Sequence, residues 1–357
     1  MSRTKPWQVS DEVWERVRPL IPARPAHPKG GRPANDDRQM LEAIVYVLRT
    51  GMQWNALPRE LAASSTAYDR FRLWESQGVF ARLWAAGLEE FDEVAGLDWR
   101  WQSLDGTQIK APFGGGASGA NPVERRKRGT KRSQLSEGHG LPLALVLAAA
   151  NRTDMIVAAA TLDAIVIARP KPDEAHPQHL SLDAGYDYES TLGEVQARGY
   201  LEHVRPNWWN RNHGHRATPE QLAQAASRQL GKRPRRWVVE RLHAWLNRNR
   251  RLSIRWDKLP RCYLAFLCLA NALICSNRRR ASRLVRFPWP LSPMEERRFP
   301  DKFLWVPLLC YGFVPSSIVV APLVGARGAV GCQGPGALAP PSTSLQLTRL
   351  RLGVALS

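Results

Sequence analysis

Through residues 1–95 the apolar positions recur at helical spacing. Ser10 is placed to cap a helix reaching about Ile21. Asp36 or Asp37 can cap a second, with Met40, Leu41, Ile44, Val45 and Leu48 on one face and Gly51 at its end. After Trp54 and Pro58 comes a short helical turn. A third helix starts at Ser64 or Ser65, carries Tyr68, Phe71, Arg72 and Trp74, and stops at Gly78; a fourth covers Val79–Phe91. A short helix, a tight turn and a longer helix presenting Tyr68, Asp69, Arg70 and Arg72 make a helix-turn-helix-like pattern, one that many three-helix modules share.

The period changes near residue 97. In WRWQSLDGTQIK, Trp99, Trp101, Ser103 and Asp105 alternate onto one face of a strand. The glycine-rich, basic stretch FGGGASGANPVERRKRGTKRSQ reads as a loop, and Leu141–Ala150 as a continuous apolar run typical of a central strand. Thr153 caps a helix over about 154–167. His179–Asp183 is a short buried strand, Ser190–Arg198 a helix stopped by Gly199, and YLEHVRP a further strand. Helices follow over about 219–229, 236–250 and 259–277. This order predicts an α/β fold, a mixed sheet flanked by helices, preceded by an all-α helix-turn-helix-like domain. The division expected is 1–95 helical, 96–280 sheet-bearing, and 281–357 a tail. Residues 302–357 contain no Asp or Glu, and the tail reads as a disordered extension or as read-through coding.

Charge adds a partner class. The chain of 357 residues has 51 Lys and Arg against 32 Asp and Glu, a net charge of +19. A hydrophobic share of 44% with 14 Trp excludes wholesale disorder. So basic a balance favours an anionic polymer, although arginine-rich composition by itself is the simpler source. The five cysteines lack zinc spacing and suit a reducing cytoplasm. The first residues show no apolar signal region, and the most apolar window, Phe303–Val324, is broken by Pro307, Pro315 and Pro322, so no membrane segment is expected. The excess charge is local. Residues 124–132 hold six basic and one acidic residue, with Arg125, Arg126, Lys127, Arg128, Lys131 and Arg132 as candidate phosphate contacts. Residues 228–258 hold eleven basic and two acidic, with Arg236, Arg248, Arg250 and Arg251 as further candidates. Trp208 and Trp209 could stack on an unpaired base or simply fill a core.

Three acids stand out by position. Asp105 is expected to end a strand before Gly106 and Thr107, and Asp183 to end a second short apolar strand before Ala184 and Gly185. Glu240 lies on a basic helix, opposite the apolar arc Val238, Val239, Leu242, Trp245 and Leu246, and on the side of Arg236, His243 and Asn247. Phosphodiester attack needs both the entering and the leaving oxygen stabilised, which two divalent ions about 3.5–4 Å apart can do. Mg²⁺ prefers carboxylate oxygens. Singly, each acid has a plainer reading: turn-former for the aspartates, ion-pair partner for Glu240. His139, His203 and His243 read as structural.

The stretches SLDGTQIK, NPVERRKRGTKRSQLSEGHGLPLALVLAAANRTD, LSLDAGYD and RRWVVERLHAWLNRNRRL resemble the catalytic domain of bacterial insertion-sequence DDE transposases of the insertion-sequence-five type. WQVSDEVWERVRPLIP, KGGRPANDDRQMLEAIVYVLRTGMQWNALP and STAYDRFRLWESQGVF resemble that family's N-terminal helical domain. The resemblance implies an RNase H-like fold and a catalytic, metal-binding triad on Asp105, Asp183 and Glu240, served by Mg²⁺ or Mn²⁺. It implies cleavage of insertion-sequence ends and their joining to target DNA. The partners would be double-stranded DNA, both terminal inverted repeats and target, and a homodimer or higher assembly on it, in the nucleoid-associated cytoplasm. The family's arginine four residues before the glutamate falls on Arg236. Where relatives carry a tyrosine and a later basic residue, this chain has Arg233 and Asn247, with Arg248 next; Ala184 stands where Lys or Arg is common. A DNA-binding protein or catalytically decayed remnant, and a stand-alone nuclease, are the competing readings.

Overall fold

The computed structural model describes residue 5 and residues 7–23, 35–204 and 235–284. Helix α1 (Asp11–Val17) is capped by Ser10, whose Oγ accepts from the Val13 N–H, and continues as a 3₁₀ turn to Leu20. The Asp36 carboxylate accepts from the N–H groups of Arg38 and Gln39, so α2 (Asp37–Thr50) starts where the acids predicted. Gly51 ends it at φ 72°. Helices α3 (Ser64–Ser76) and α4 (Val79–Ala95) are joined through Gly78 at φ 68°. The expected presentation of Arg70 does not hold: it is buried and ion-paired with Asp37, while Arg72 bonds the Cys262 thiol. An arginine on the inner face of a packed helix is kept charged by an acid rather than by water.

One sheet follows. Strands β1 (Trp101–Lys110), β3 (Arg128–Glu137) and β4 (Pro142–Ala149) form an antiparallel meander, with the short β2 (Gly119–Ala120) on the start of β3. Strands β5 (Gln178–Leu182) and β6 (Tyr200–Val204) add in parallel on the other side of β1. The order β4-β3-β1-β5-β6, three antiparallel strands followed by two parallel ones, is the RNase H-like arrangement. Helix α5 (Asp154–Asp163) packs on β3 and β4, and α6 (Glu189–Ala197) on β6. On β1 and β3 lies α7 (Trp237–Asn247). A short α8 (Arg250–Ser253) leads to α9 (Pro260–Leu284).

The main departure from expectation is β3. The last seven residues of the stretch read as a basic loop, Arg128–Gln134, belong to an inner strand that is buried from Gly129 to Glu137. The helix expected over 236–250 is broken after Asn247, and the last helix runs past residue 281. The helix expected over 219–229, Trp208 and Trp209, and the tail beyond residue 284 lie outside the described residues. No helix among the described residues is long and apolar enough to cross a membrane.

The described residues all belong to one compact unit. Within it the helices expected as a separate domain share a core with the sheet. Phe71 stacks on Phe266 of α9 at 4.4 Å between centroids, and the Trp84 indole N–H donates to the Pro142 carbonyl at 2.9 Å.

Candidate active site

The parallel register sets two aspartates level. Ser103 of β1 faces Ser181 of β5, so Asp105 and Asp183 each lie two residues further along adjacent chains. The same two serines fix the start of α7. The Ser103 hydroxyl donates to the Arg235 carbonyl at 3.0 Å, and the Arg235 N–H donates to the Ser181 Oγ at 3.2 Å. One residue on, the Arg236 guanidinium reaches Asp183 Oδ1 at 3.1 Å and Glu240 Oε1 at 3.2 Å. The Asp183 carboxylate also accepts from the Ala184 N–H at 2.5 Å, capping the start of the 3₁₀ turn Ala184–Tyr186.

Asp105 is the most enclosed of the three, with its side chain 18% exposed against 45% for Asp183 and 55% for Glu240. Burial pushes its pKa up to about 6, with Asp183 and Asp154 adding to the rise; the Gly106 N–H and the Arg236 charge oppose it. His243, predicted on the polar side of its helix, is buried beneath the site with Nε2 3.6 Å from Asp105 Oδ2. Burial, and then the Arg132 charge, bring its pKa down to about 3, so the imidazole is neutral at pH 7.

Two groups escaped the sequence reading. Asp154 opens α5, pairs through Oδ2 with the Lys131 ammonium at 2.8 Å, and has a buried Oδ1 without a partner. A Cβ at position 106 would collide with that carboxylate, so Gly106 is what lets it approach β1. An acid in a helix's first turn is ordinary sequence chemistry, and nothing marked this one. Tyr186 has a buried, unpartnered hydroxyl, its pKa raised by burial and by the Asp154, Asp105 and Asp183 charges.

As donors, these oxygens fit a hard divalent cation in kind: an aspartate resisting ionisation beside two more carboxylates, one with a free buried oxygen. In number and closeness they do not yet form a cage. Among the described residues no three His, Cys, Asp or Glu converge enough to hold a metal ion, and Arg236 lies between Asp183 and Glu240 as their counter-charge.

The basic candidates divide. Arg125, Arg126, Lys127 and Arg128 are exposed on a turn closed by the Asn121 N–H to the Lys127 carbonyl at 2.8 Å, with Arg125 and Arg126 at φ 50° and 60°. Arg248 and Arg250 are exposed. Three others are buried. Lys131 is buried on Asp154, and Arg132 is buried beside His243 and Asn247 at 3.4 and 3.2 Å. Arg251 is buried over Phe266 and paired with Asp257 at 2.7 Å. In each case strand or helix geometry turns the long side chain inward, where a protein partner replaces phosphate.

Residues 9–84 match a family described as "Putative transposase of IS4/5 family", and residues 102–275 match "Transposase DDE domain". A relative from Burkholderia cepacia, "Putative transposase for insertion sequence element IS402", is 34% identical over 165 residues, 46% of this chain and 70% of that protein. The chain belongs to the DDE insertion-sequence transposases. A second Burkholderia cepacia relative of this transposase, "Insertion element IS402 uncharacterized 16.2 kDa protein", is 32% identical over 118 residues, 32% of this chain and 80% of that one. Among solved structures, the "Mos1 mariner paired end complex with Mn" aligns with 63% of the transposase and 80% of its own chain, at 11% identity and a TM-score of 0.23. The RNase H-like assignment rests on strand order and on the family match. As a member of the family the transposase is a divalent-metal-dependent enzyme of DNA strand cleavage and transfer.

Proposed function

We propose that Asp105, Asp183 and Glu240 are the catalytic triad, cutting insertion-sequence ends and joining them to target DNA. The observation that carries this is the electrostatic linkage of three acids distant in sequence. Arg236 bonds two of them, and the third resists ionisation through burial and through the charge of Asp183. The three would hold Mg²⁺ or Mn²⁺, which when bound supplies Lewis-acid polarisation of phosphodiester oxygens. The chain's own groups do the rest. His243, neutral, supports Asp105 from below without neutralising it. Lys131 holds Asp154 beside β1, and Arg236 keeps Asp183 and Glu240 together when the site is empty of cation. In the reaction, water breaks a phosphodiester at the element end and leaves a free 3′-hydroxyl. That hydroxyl then attacks a target phosphodiester, so one bond forms as another breaks.

Asp105→Asn should abolish metal-dependent cleavage of an end duplex and leave end binding intact; cleavage equal to that of the unaltered chain would overturn the assignment. Terminal inverted repeats and target DNA are the proposed partners, bound by a homodimer or larger assembly at the nucleoid. The exposed turn Arg125–Arg128 supplies phosphate contacts under this reading. Changing all four residues to alanine should lower the slope of log affinity against log salt by about 3 to 4. An unchanged slope would move the phosphate track elsewhere.

A second reading has two observations in its favour. Asn247, where relatives carry a basic residue, is committed to Arg132, and the carboxylates do not converge on a metal position. A DNA-binding remnant would shift end duplexes in a gel and show no metal-dependent cleavage by the intact chain.

A further inference from the structure

A cavity of about 790 Å³, with none of Asp105, Asp183 and Glu240 in its lining, lies between the 3₁₀ turn Trp54–Ala56, the start of α3, the glycine loop after β1, and residues 256–259. Its size is that of a small-molecule site. Its walls are aromatic: Trp54, Tyr68, Phe113 and Trp256. Of the ten large hydrophobic residues exposed among the described residues, four line this one cavity: Tyr68, Phe113, Trp256 and Leu259. Scattered exposed apolar residues are ordinary, whereas a cluster around a concavity marks a binding surface.

The exposed rings are held in place by the glycine run. Gly115, at φ 91°, lies so close to the Lys258 carbonyl that any Cβ would collide with it, and Gly114, at φ 64°, lies against the Arg128 side chain. The loop is thereby seated on residues 258–260, with the Phe113 ring 5.5 Å from the Trp256 ring. Polar residues stand among the rings: Asp69, Ser64, Ser65 and Lys258 line the same space. Through Arg128 the loop adjoins the exposed basic turn.

We infer that this cavity binds an unstacked nucleotide of DNA. A nucleobase offers a π-face to the Phe113 and Trp256 rings and a hydrogen-bonding edge to Asp69 and the serines, while the neighbouring cations accompany its backbone. A peptide side chain would use the aromatic walls but leave the basic flank without a role. The inference rests on DNA being the polymer this transposase handles, and is independent of the carboxylate assignment.

The test uses the full chain in EDTA, so that cleavage chemistry plays no part. The probe is a single-stranded oligonucleotide carrying one 2-aminopurine. Binding should quench its fluorescence. Trp256→Leu, which keeps apolar bulk but removes the π-face, should abolish most of the quench and weaken single-strand affinity about tenfold, and Phe113→Leu should do the same. Trp256→Tyr should retain both. These side chains are exposed, so the variants should fold, and circular dichroism checks that. Leucine and tyrosine variants behaving alike would overturn the inference. So would unchanged DNA binding with an altered sedimentation coefficient, which would make the cavity a contact between copies.

Discussion

At the scale of single residues, Asp105 and His243 pull stability in opposite directions. Folding raises the Asp105 pKa from 3.8 to about 6, so between those values the folded chain binds more protons than the unfolded one. Its contribution therefore becomes less favourable as pH rises through that window, and the full cost is present above about pH 6. His243 is lowered from 6.5 to about 3, so its neutral burial is favourable above about pH 6.5 and is lost as pH falls. The two slopes oppose each other over much of the same range, and the pH profile of the unaltered chain hides both. The difference between variants does not. In EDTA at pH 7.5, Asp105→Asn should raise the urea midpoint by an amount equivalent to ~2–3 kcal/mol, and the gain should shrink towards pH 4. A midpoint that is unchanged or lower would mean the carboxylate is not the destabilised group. Stability gained together with cleavage lost is the behaviour of a group positioned for chemistry rather than for folding.

At the scale of elements, the position of α7 depends on two serine hydroxyls as well as on its buried face of Val238, Val239, Leu242 and Leu246. Removing both with Ser103→Ala and Ser181→Ala costs about 1 kcal/mol per hydrogen bond. The start of the helix should shift relative to β1 and β5. Single-turnover cleavage should fall about tenfold or more, with end affinity in gel shifts little changed. Cleavage at the original rate would show that the apolar face alone fixes the helix. Such cross-element bonds also mark what sequence could reveal. The helices were legible because their signals are local: Ser10, Asp36, Gly51 and Gly78 sit where predicted. The strand end at Asp183 was legible from an apolar run, whereas Asp105, expected at a strand end, lies midway along β1, because pairing with β3 carries the strand on through Gly106 to Lys110. Strand β3 was not legible. Its interior is Lys131, Arg132, Ser133, Gln134 and Ser136, polar residues that read as solvated. They are buried because their partners arrive from afar: Asp154 for Lys131, Asn247 for Arg132, Thr161 for Ser133, Asn271 for Gln134. Asp154 escaped notice for the same reason, since only the fold brings it to Gly106.

At the scale of the whole molecule, the chain reads as a helical module followed by a sheet module, and the structure joins them. The buried faces of α3 and α4 are completed by α9. Phe71 packs on Phe266, Trp54 on both Phe71 and Phe266, and Gly87 of α4 lies 3.4 Å from Cys275 of α9 when given a Cβ. Arg16 and Arg279 both pair with Glu90, which ties α1 and α9 to α4. A fragment ending near residue 95 would leave Phe71, Trp84 and Leu88 facing water, at roughly 1.5–3 kcal/mol for each large side chain. A fragment beginning there would expose Phe266 and Leu269 in turn. Residues 1–95 and 96–289 expressed apart should therefore be insoluble or lack a cooperative thermal transition, and should recover one when co-expressed. Two fragments that each unfold cooperatively by calorimetry would refute the shared core. The expected single transition means that the helices of residues 1–95 and the proposed carboxylate site sit on one folding unit, so a destabilising change in either half should lower DNA binding and cleavage together.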